Sequence, residues 1–131
     1  MNGLENFGGY RKARELFDLV LADMEKVRHH PLCLRLARQQ VASADSICAN
    51  IEEGFGRLSR TEYIRFLDIA RGSARETHGR YLRMKPWLEP ALIEHRQKLL
   101  GEVIAILTAT IGTLRANNPL REETPSYPSE P

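Results

Sequence analysis

Basic side chains dominate the middle of the chain. Between residues 57 and 85, eight basic residues stand against three acidic ones. Guanidinium groups bind phosphate oxygens through paired hydrogen bonds, so such a stretch could contact a nucleic-acid backbone. The residues predicted to make these contacts are Arg57, Arg60, Arg65, Arg75, Arg80, Arg83 and Lys85. The alternative is that these side chains are solvated or form surface ion pairs, as most charged helix faces do.

Catalytic and metal-binding patterns fit the sequence poorly. His29 and His30 are adjacent and point in different directions, while His78 and His95 have no ligand partner at helical spacing. The glycine-rich segment at residues 54–59 follows a helix and lacks the ending of a phosphate-binding loop, so it is interpreted as a turn. No Ser or Cys has a His and an acid at a recognisable spacing. The sequence therefore predicts no enzyme activity, no metal and no cofactor.

Length and composition predict one small domain. The chain has 131 residues, 42% of them hydrophobic, and a formal net charge of +2. No apolar run approaches the roughly 20 residues of a membrane span, and residues 1–9 lack a secretory layout, so the cytoplasm is the expected location. Cys33 and Cys48 are predicted on one helix, roughly 22 Å apart, which excludes a disulfide between them. Both are expected to be reduced core thiols.

Four segments carry the 3.6-residue apolar period of helices. They are predicted at about Tyr10–Arg28, Leu32–Phe55, a helix capped by Ser59 and ending near Arg83, and Pro90–Ala116. Short connections favour antiparallel neighbours. The predicted fold is therefore all-α, an up-and-down antiparallel four-helix bundle formed by residues 1–116, and the proline-rich residues 117–131 are predicted to be a disordered tail.

Helices two and three carry unusual positions outside their apolar stripes. Ser43, Ser46, Asn50 and Gly54 form a small-residue face on helix two. Gly72 and Gly79 share one azimuth of helix three, which suggests that another backbone approaches there, either within the bundle or from another subunit. On helix three, Tyr63 and Phe66 are predicted to face inward, whereas Ile64, Ile69 and Leu82 fall off the stripe. Exposed branched residues beside glycines would suit an oligomer interface, or they are scattered surface apolars.

Two stretches resemble the motifs of a known family. The segment from Ser46 to Arg57 resembles the signature Ser-Ile-x-x-Asn-Ile-x-Glu-Gly-x-x-Arg, and the segment from Phe66 to Glu76 resembles Phe-Leu-x-x-Ala-x-Gly-Ser-x-x-Glu. These motifs belong to the four helix bundle proteins encoded in intervening sequences of ribosomal RNA genes. That family is similar to the accessory variability proteins of diversity-generating retroelements.

The resemblance implies an up-and-down bundle, a ring-like homopentamer and no enzymatic activity. For the retroelement relatives it also implies binding to nucleic acid and to a partner reverse transcriptase. The signature positions expected to fix the contact of helices two and three are Asn50, Glu53, Gly54, Arg71, Gly72, Ser73 and Glu76. Arg71 is expected to pair with Glu53 or Glu76. The family often has two basic residues where this chain has Val41 and Ala42, so Arg35, Arg38 or helix three would have to replace them.

Charge pattern and resemblance together favour a non-enzymatic, homo-oligomeric accessory protein that binds RNA or DNA, with a reverse transcriptase as a further partner. The alternative is a protein-interaction scaffold without a nucleic-acid role, in which the arginines serve pairing and solubility.

Overall fold

The computed structural model describes residues 3–117, and over that range every regular element is helical. A short 3-10 helix at Leu4–Asn6 precedes four long helices. Helix α1 spans Gly8–Val27, α2 spans Leu34–Phe55, α3 spans Arg60–Arg83 and α4 spans Pro90–Ala116. The predicted disordered tail lies outside the described residues except for Asn117.

Local sequence signals set the helix ends. The Ser59 hydroxyl accepts a hydrogen bond from the Glu62 amide at 3.3 Å, as predicted for a cap, and Pro90 occupies the first turn of α4. A capping box would have the Glu62 carboxylate reach back to Ser59. In the structure it instead accepts a hydrogen bond from Arg65 at 3.3 Å. Helix α2 begins two residues later than predicted because the chain makes a turn there, closed by the Cys33 amide on the His30 carbonyl at 2.9 Å.

Each helix packs against its neighbours in the chain, and α1 also packs against α4. This arrangement confirms the predicted up-and-down antiparallel four-helix bundle. The core lies between the four apolar stripes, and its largest fully buried side chains include Leu16, Ile47, Leu67 and Leu107.

The inward face of α3 differs from the prediction at its first turns. Ile64 is buried, while Tyr63 and Phe66 are half-buried at the rim of the core. A Cβ atom added at Gly54 would lie 2.8 Å from the Phe66 Cβ atom and 3.1 Å from Tyr63 Cδ1. The two aromatic side chains therefore pack over the end of α2, and Ile64 takes the inward position. On α1, Leu21 is 44% exposed although helical periodicity places it on the apolar stripe with Val20 and Met24.

A buried carboxylate joins three helices. Asp23 on α1 is fully buried and accepts from the Tyr81 hydroxyl on α3 at 2.7 Å. Arg96 on α4 donates to both oxygens of the same carboxylate, from Nε at 2.8 Å and from Nη2 at 2.9 Å. Burial and the neighbouring Asp23 raise the pKa of the Tyr81 hydroxyl, which keeps it protonated as the donor. The pair with Asp23 raises the pKa of Arg96.

Both cysteines are buried and free, in agreement with their predicted place in the core. Cys33 precedes α2 as its N-cap residue, and Cys48 lies inside the helix. Burial raises the pKa of the Cys48 thiol from 9.0 to about 12. A thiol that stays protonated at neutral pH is a poor nucleophile, so Cys48 serves packing.

Helix α4 corrects the expectation that no apolar run approaches the length of a membrane span. Among the described residues it is the one helix long and apolar enough by composition to cross a membrane, and 28% of its most apolar window is buried. Core residues such as Leu100, Val103 and Leu107 supply part of this character. The outward positions are small, among them Gly101, Ala105 and Gly112.

We expect Asp23→Asn to destabilise the bundle by about 3–5 kcal/mol, because Arg96 would keep a poorly solvated charge without its counter-ion. Urea unfolding followed by circular dichroism at one protein concentration measures the loss. The matched control is Glu102→Gln, which breaks the exposed pair with Lys12 and should cost about 0–1 kcal/mol. Equal losses in the two variants would contradict a structural role for the buried carboxylate.

The raised pKa of Cys48 predicts a loss of stability at alkaline pH. The unfolded thiol ionises near pH 9 and the folded one near 12, so the unfolded state binds fewer protons between these values and the free energy of unfolding falls as pH rises. Burial shifts the pKa of Cys33 in the same direction. Replacing both cysteines with alanine should make the unfolding free energy fall less steeply than in the wild type between pH 9 and 10, because the tyrosines contribute equally to both proteins. An unchanged slope would refute this assignment.

Candidate functional site

A row of polar side chains runs along the contact of α2 and α3, and we call it the polar seam. At one end, Gln40 donates from Nε2 to the Thr77 carbonyl at 2.9 Å. The Ser43 and Thr77 hydroxyl oxygens lie 2.7 Å apart. Arg80 donates from Nη1 to Gln40 Oε1 and to Ser43 Oγ, both at 2.8 Å, and to the Gln39 carbonyl at 3.3 Å. The guanidinium of Arg80 thus bridges the two helices.

The seam continues through residues of the two motifs. Ser73 donates to the Ser46 hydroxyl oxygen at 2.9 Å, and Asn50 donates to the same oxygen at 3.0 Å. Further along, Gly54 leaves room for the close approach of Phe66. The structure therefore places Asn50, Gly54 and Ser73 at the contact of α2 and α3, where the resemblance implied they would lie.

Other signature positions lie elsewhere. Glu53 and Glu76 are exposed, and a Cβ atom added at Gly72 would meet nothing within 4 Å. Arg71 faces α4, where Nη1 donates to the Thr108 hydroxyl at 3.2 Å, while Nη2 pairs with Asp68 at 2.6 Å. Its expected pairing with Glu53 or Glu76 is therefore replaced by a contact between α3 and α4.

Two of the predicted phosphate-binding arginines flank one ring. The guanidinium carbons of Arg57 and Arg65 lie 5.1 and 4.8 Å from the centroid of Phe66. Arg57 also pairs with Glu53, and Arg65 with Glu62. These are surface pairs of low strength, so both cations can exchange their partners for a phosphate.

Arg60 forms hydrogen bonds with the end of α4. Its Nη1 atom donates to the carbonyl oxygens of Leu114, at 3.3 Å, and of Asn117. The last carbonyls of a helix lack partners within the helix and carry partial negative charge, so a guanidinium there stabilises the terminus. Arg60 therefore joins the first turn of α3 to the last turn of α4.

Three predicted cations remain open to solvent. The side chains of Arg75, Arg83 and Lys85 are exposed and form no hydrogen bond or ion pair with residues 3–117. Arg35 and Arg38 on α2 share both properties. Arg80 differs, because burial and the nearby charge of Arg83 lower its pKa. We call Arg35, Arg38, Arg75, Arg83 and Lys85 the open cations.

The outer face of α3 has no neighbour within the bundle. A Cβ atom added at Gly79 would meet only the tip of Arg83, at 3.6 Å. Ile69 and Leu82 are 40% and 52% exposed on the same helix. The backbone that the two glycines were predicted to admit is therefore not one of the bundle's own.

Helical periodicity alone does not predict two parts of this arrangement. Gln40 and Thr77 lie at buried positions of α2 and α3, and periodicity gives no sign that their polar groups bond across the two helices. Asp23 lies three residues after Val20 and four before Val27, both apolar core positions of α1, which is a detectable signal for a buried charge. Within the described part of the chain, no group of three or more His, Cys, Asp or Glu side chains could hold a metal ion.

Both the fold and the sequence have counterparts among known proteins. A solved structure described as a protein of unknown function from the S23 ribosomal protein family of Bacteroides thetaiotaomicron VPI-5482 superposes with a TM-score of 0.74. The two chains are 22% identical, and the match covers 79% of this chain and 97% of that one, which establishes a shared fold. A search of curated proteins found no match. A family model described as "23S rRNA-intervening sequence protein" matches residues 5–109. The chain therefore belongs to the 23S rRNA-intervening sequence protein family.

Proposed function

We propose that this protein is a non-enzymatic, homo-oligomeric accessory protein that binds nucleic acid. The open cations carry the proposal, because five exposed basic side chains, four on α2 and α3 and one in the turn after α3, have no acidic partner among the described residues. Such cations gain by replacing the counter-ions of a phosphate backbone. The family's name connects its members with 23S rRNA, which makes structured RNA the first nucleic acid to test.

Oligomerisation would strengthen such binding. Each subunit offers few open cations, and phosphate contacts add when the same set is repeated around an assembly. The exposed Ile69 and Leu82, each three residues from a glycine of α3, supply apolar surface for a subunit contact on that helix. We further propose that the subunits form a pentameric ring and that a reverse transcriptase is a protein partner.

The same apolar residues favour a second candidate, a protein-interaction scaffold. In that case Ile69 and Leu82 would contact a different protein, and the arginines would serve solubility and helix pairing. Binding to RNA separates the two candidates.

We expect binding to structured RNA to weaken steeply as salt rises, because counter-ion release drives it. The triple variant Arg75→Gln, Arg83→Gln and Lys85→Gln should lower the slope of log K against log salt by about 2 to 3. The control variant Lys26→Gln, Arg28→Gln and Lys98→Gln removes the same charge from other exposed positions. Fluorescence anisotropy measures the affinity at salt concentrations from about 50 to about 300 mM, in steps of about 50 mM. Equal slopes for both variants would exclude the open cations as the binding surface.

We expect the protein to be larger than a monomer at micromolar concentration, as measured by light scattering after size exclusion. Ile69→Glu combined with Leu82→Glu should dissociate it, because charges would enter the apolar contact on α3. The control is Leu58→Glu, at an exposed leucine of the turn between α2 and α3. A monomeric wild-type protein would overturn the proposal that an assembly of subunits repeats the open cations.

A further inference from the structure

An open groove lies along the outer side of the polar seam. Its volume is about 300 Å³, and it is lined by the hydroxyls of Ser43, Ser46 and Ser73, by Arg80 and by Gln39, Ala42 and Glu76. No aromatic side chain lines it, so the groove offers charge and hydroxyl groups and no stacking surface for a base.

Arg80 lacks an anionic partner in this groove. Four arginines bridge the long helices among the described residues. Arg96 pairs with Asp23 and Arg71 with Asp68, whereas the exposed Arg60 binds the carbonyls that end α4. Arg80 donates to neutral oxygens alone, and no carboxylate of the described residues lies within ion-pair distance. Its Nε atom is buried without a partner, as is that of Arg71, so the missing carboxylate is what distinguishes Arg80. A half-buried cation of this kind is costly until an anion reaches it.

The hydroxyl groups of the polar seam donate hydrogen bonds in a definite sequence, and one hydroxyl proton is left without an acceptor. Thr77 donates its hydroxyl proton to the Ser73 carbonyl at 2.8 Å, so Ser43 is the donor in the 2.7 Å contact with Thr77, and the Gln40 carbonyl at 3.3 Å is its second acceptor. Ser46 accepts from both Ser73 and Asn50. Its own proton has no acceptor among the described residues. The Ser46 hydroxyl is therefore an uncommitted donor in the groove.

We propose that this groove binds a phosphate group, with the Arg80 guanidinium supplying the charge and the Ser46 hydroxyl a neutral donor. A phosphate has several acceptor oxygens and suits this donor set. Arg83 adds a second positive charge beside Arg80, against the one exposed acid of the lining, Glu76. The phosphate comes either from a nucleic-acid backbone, in which case the inference rests on the proposed function, or from free phosphate.

Titration of the full-length ¹⁵N-labelled protein tests the groove. One arm adds inorganic phosphate and the other a short RNA, with chloride holding ionic strength constant. We expect amide shifts at residues 39–46 and 73–80 in at least one arm. Shifts confined to Arg35, Arg38, Arg83 and Lys85, which lie outside both ranges, would overturn the groove and leave the proposed function standing. Groove shifts with phosphate, without any RNA binding, would support the groove and overturn the proposed function.

Ser46→Ala removes the free donor without changing charge. It should weaken binding in the groove by about tenfold or more, the effect of one hydrogen bond to a charged group. Ser73→Ala is the matched control, because it breaks the same seam bond and keeps the Ser46 hydroxyl. If both variants bind as wild type does, or lose affinity equally, the Ser46 hydroxyl does not contact phosphate and the proposal fails.

Discussion

A carboxylate with no access to water constrains the whole bundle. The charge of Asp23 must be compensated inside the protein, since burying an unpaired carboxylate would cost more free energy than the net stability of a small domain. Arg96 and Tyr81 meet that need from two other helices. Apolar stripes can slide past one another at small cost, whereas these three groups fit in a single arrangement. The triad therefore fixes how α1, α3 and α4 stand relative to each other.

The contact of α2 and α3 is specified differently. Its polar seam pairs hydroxyl, amide and guanidinium groups at several successive turns, so a shift of one turn would leave many of them without partners. Gly54 adds a steric condition at the far end, because any larger side chain would meet Phe66. The outer edge of this same contact carries Arg80, so the groups that align the helices also border the proposed phosphate groove.

Local features were predictable from the sequence, and long-range pairings were not. Helix ends agreed within two residues of prediction because caps, prolines and apolar periods act over a few residues. The inward residues of early α3 were wrong because Gly54, on another helix, decides which of two adjacent stripes is buried. Arg60 was predicted as a phosphate contact, yet its partners lie 54 and 57 residues away at the end of α4. Charge patterns identify exposed cations without showing which are already engaged.

The difference in chain separation between the two polar networks implies an order of folding. The hydrogen bonds of the polar seam join residues 27 to 41 positions apart across a short turn, so closing that hairpin costs little chain entropy. The bonds of Asp23 span 58 and 73 positions. Contacts between near neighbours in sequence form fastest. The α2–α3 hairpin is therefore the expected folding nucleus, and the carboxylate reaches its partners only when α1 and α4 close around that hairpin.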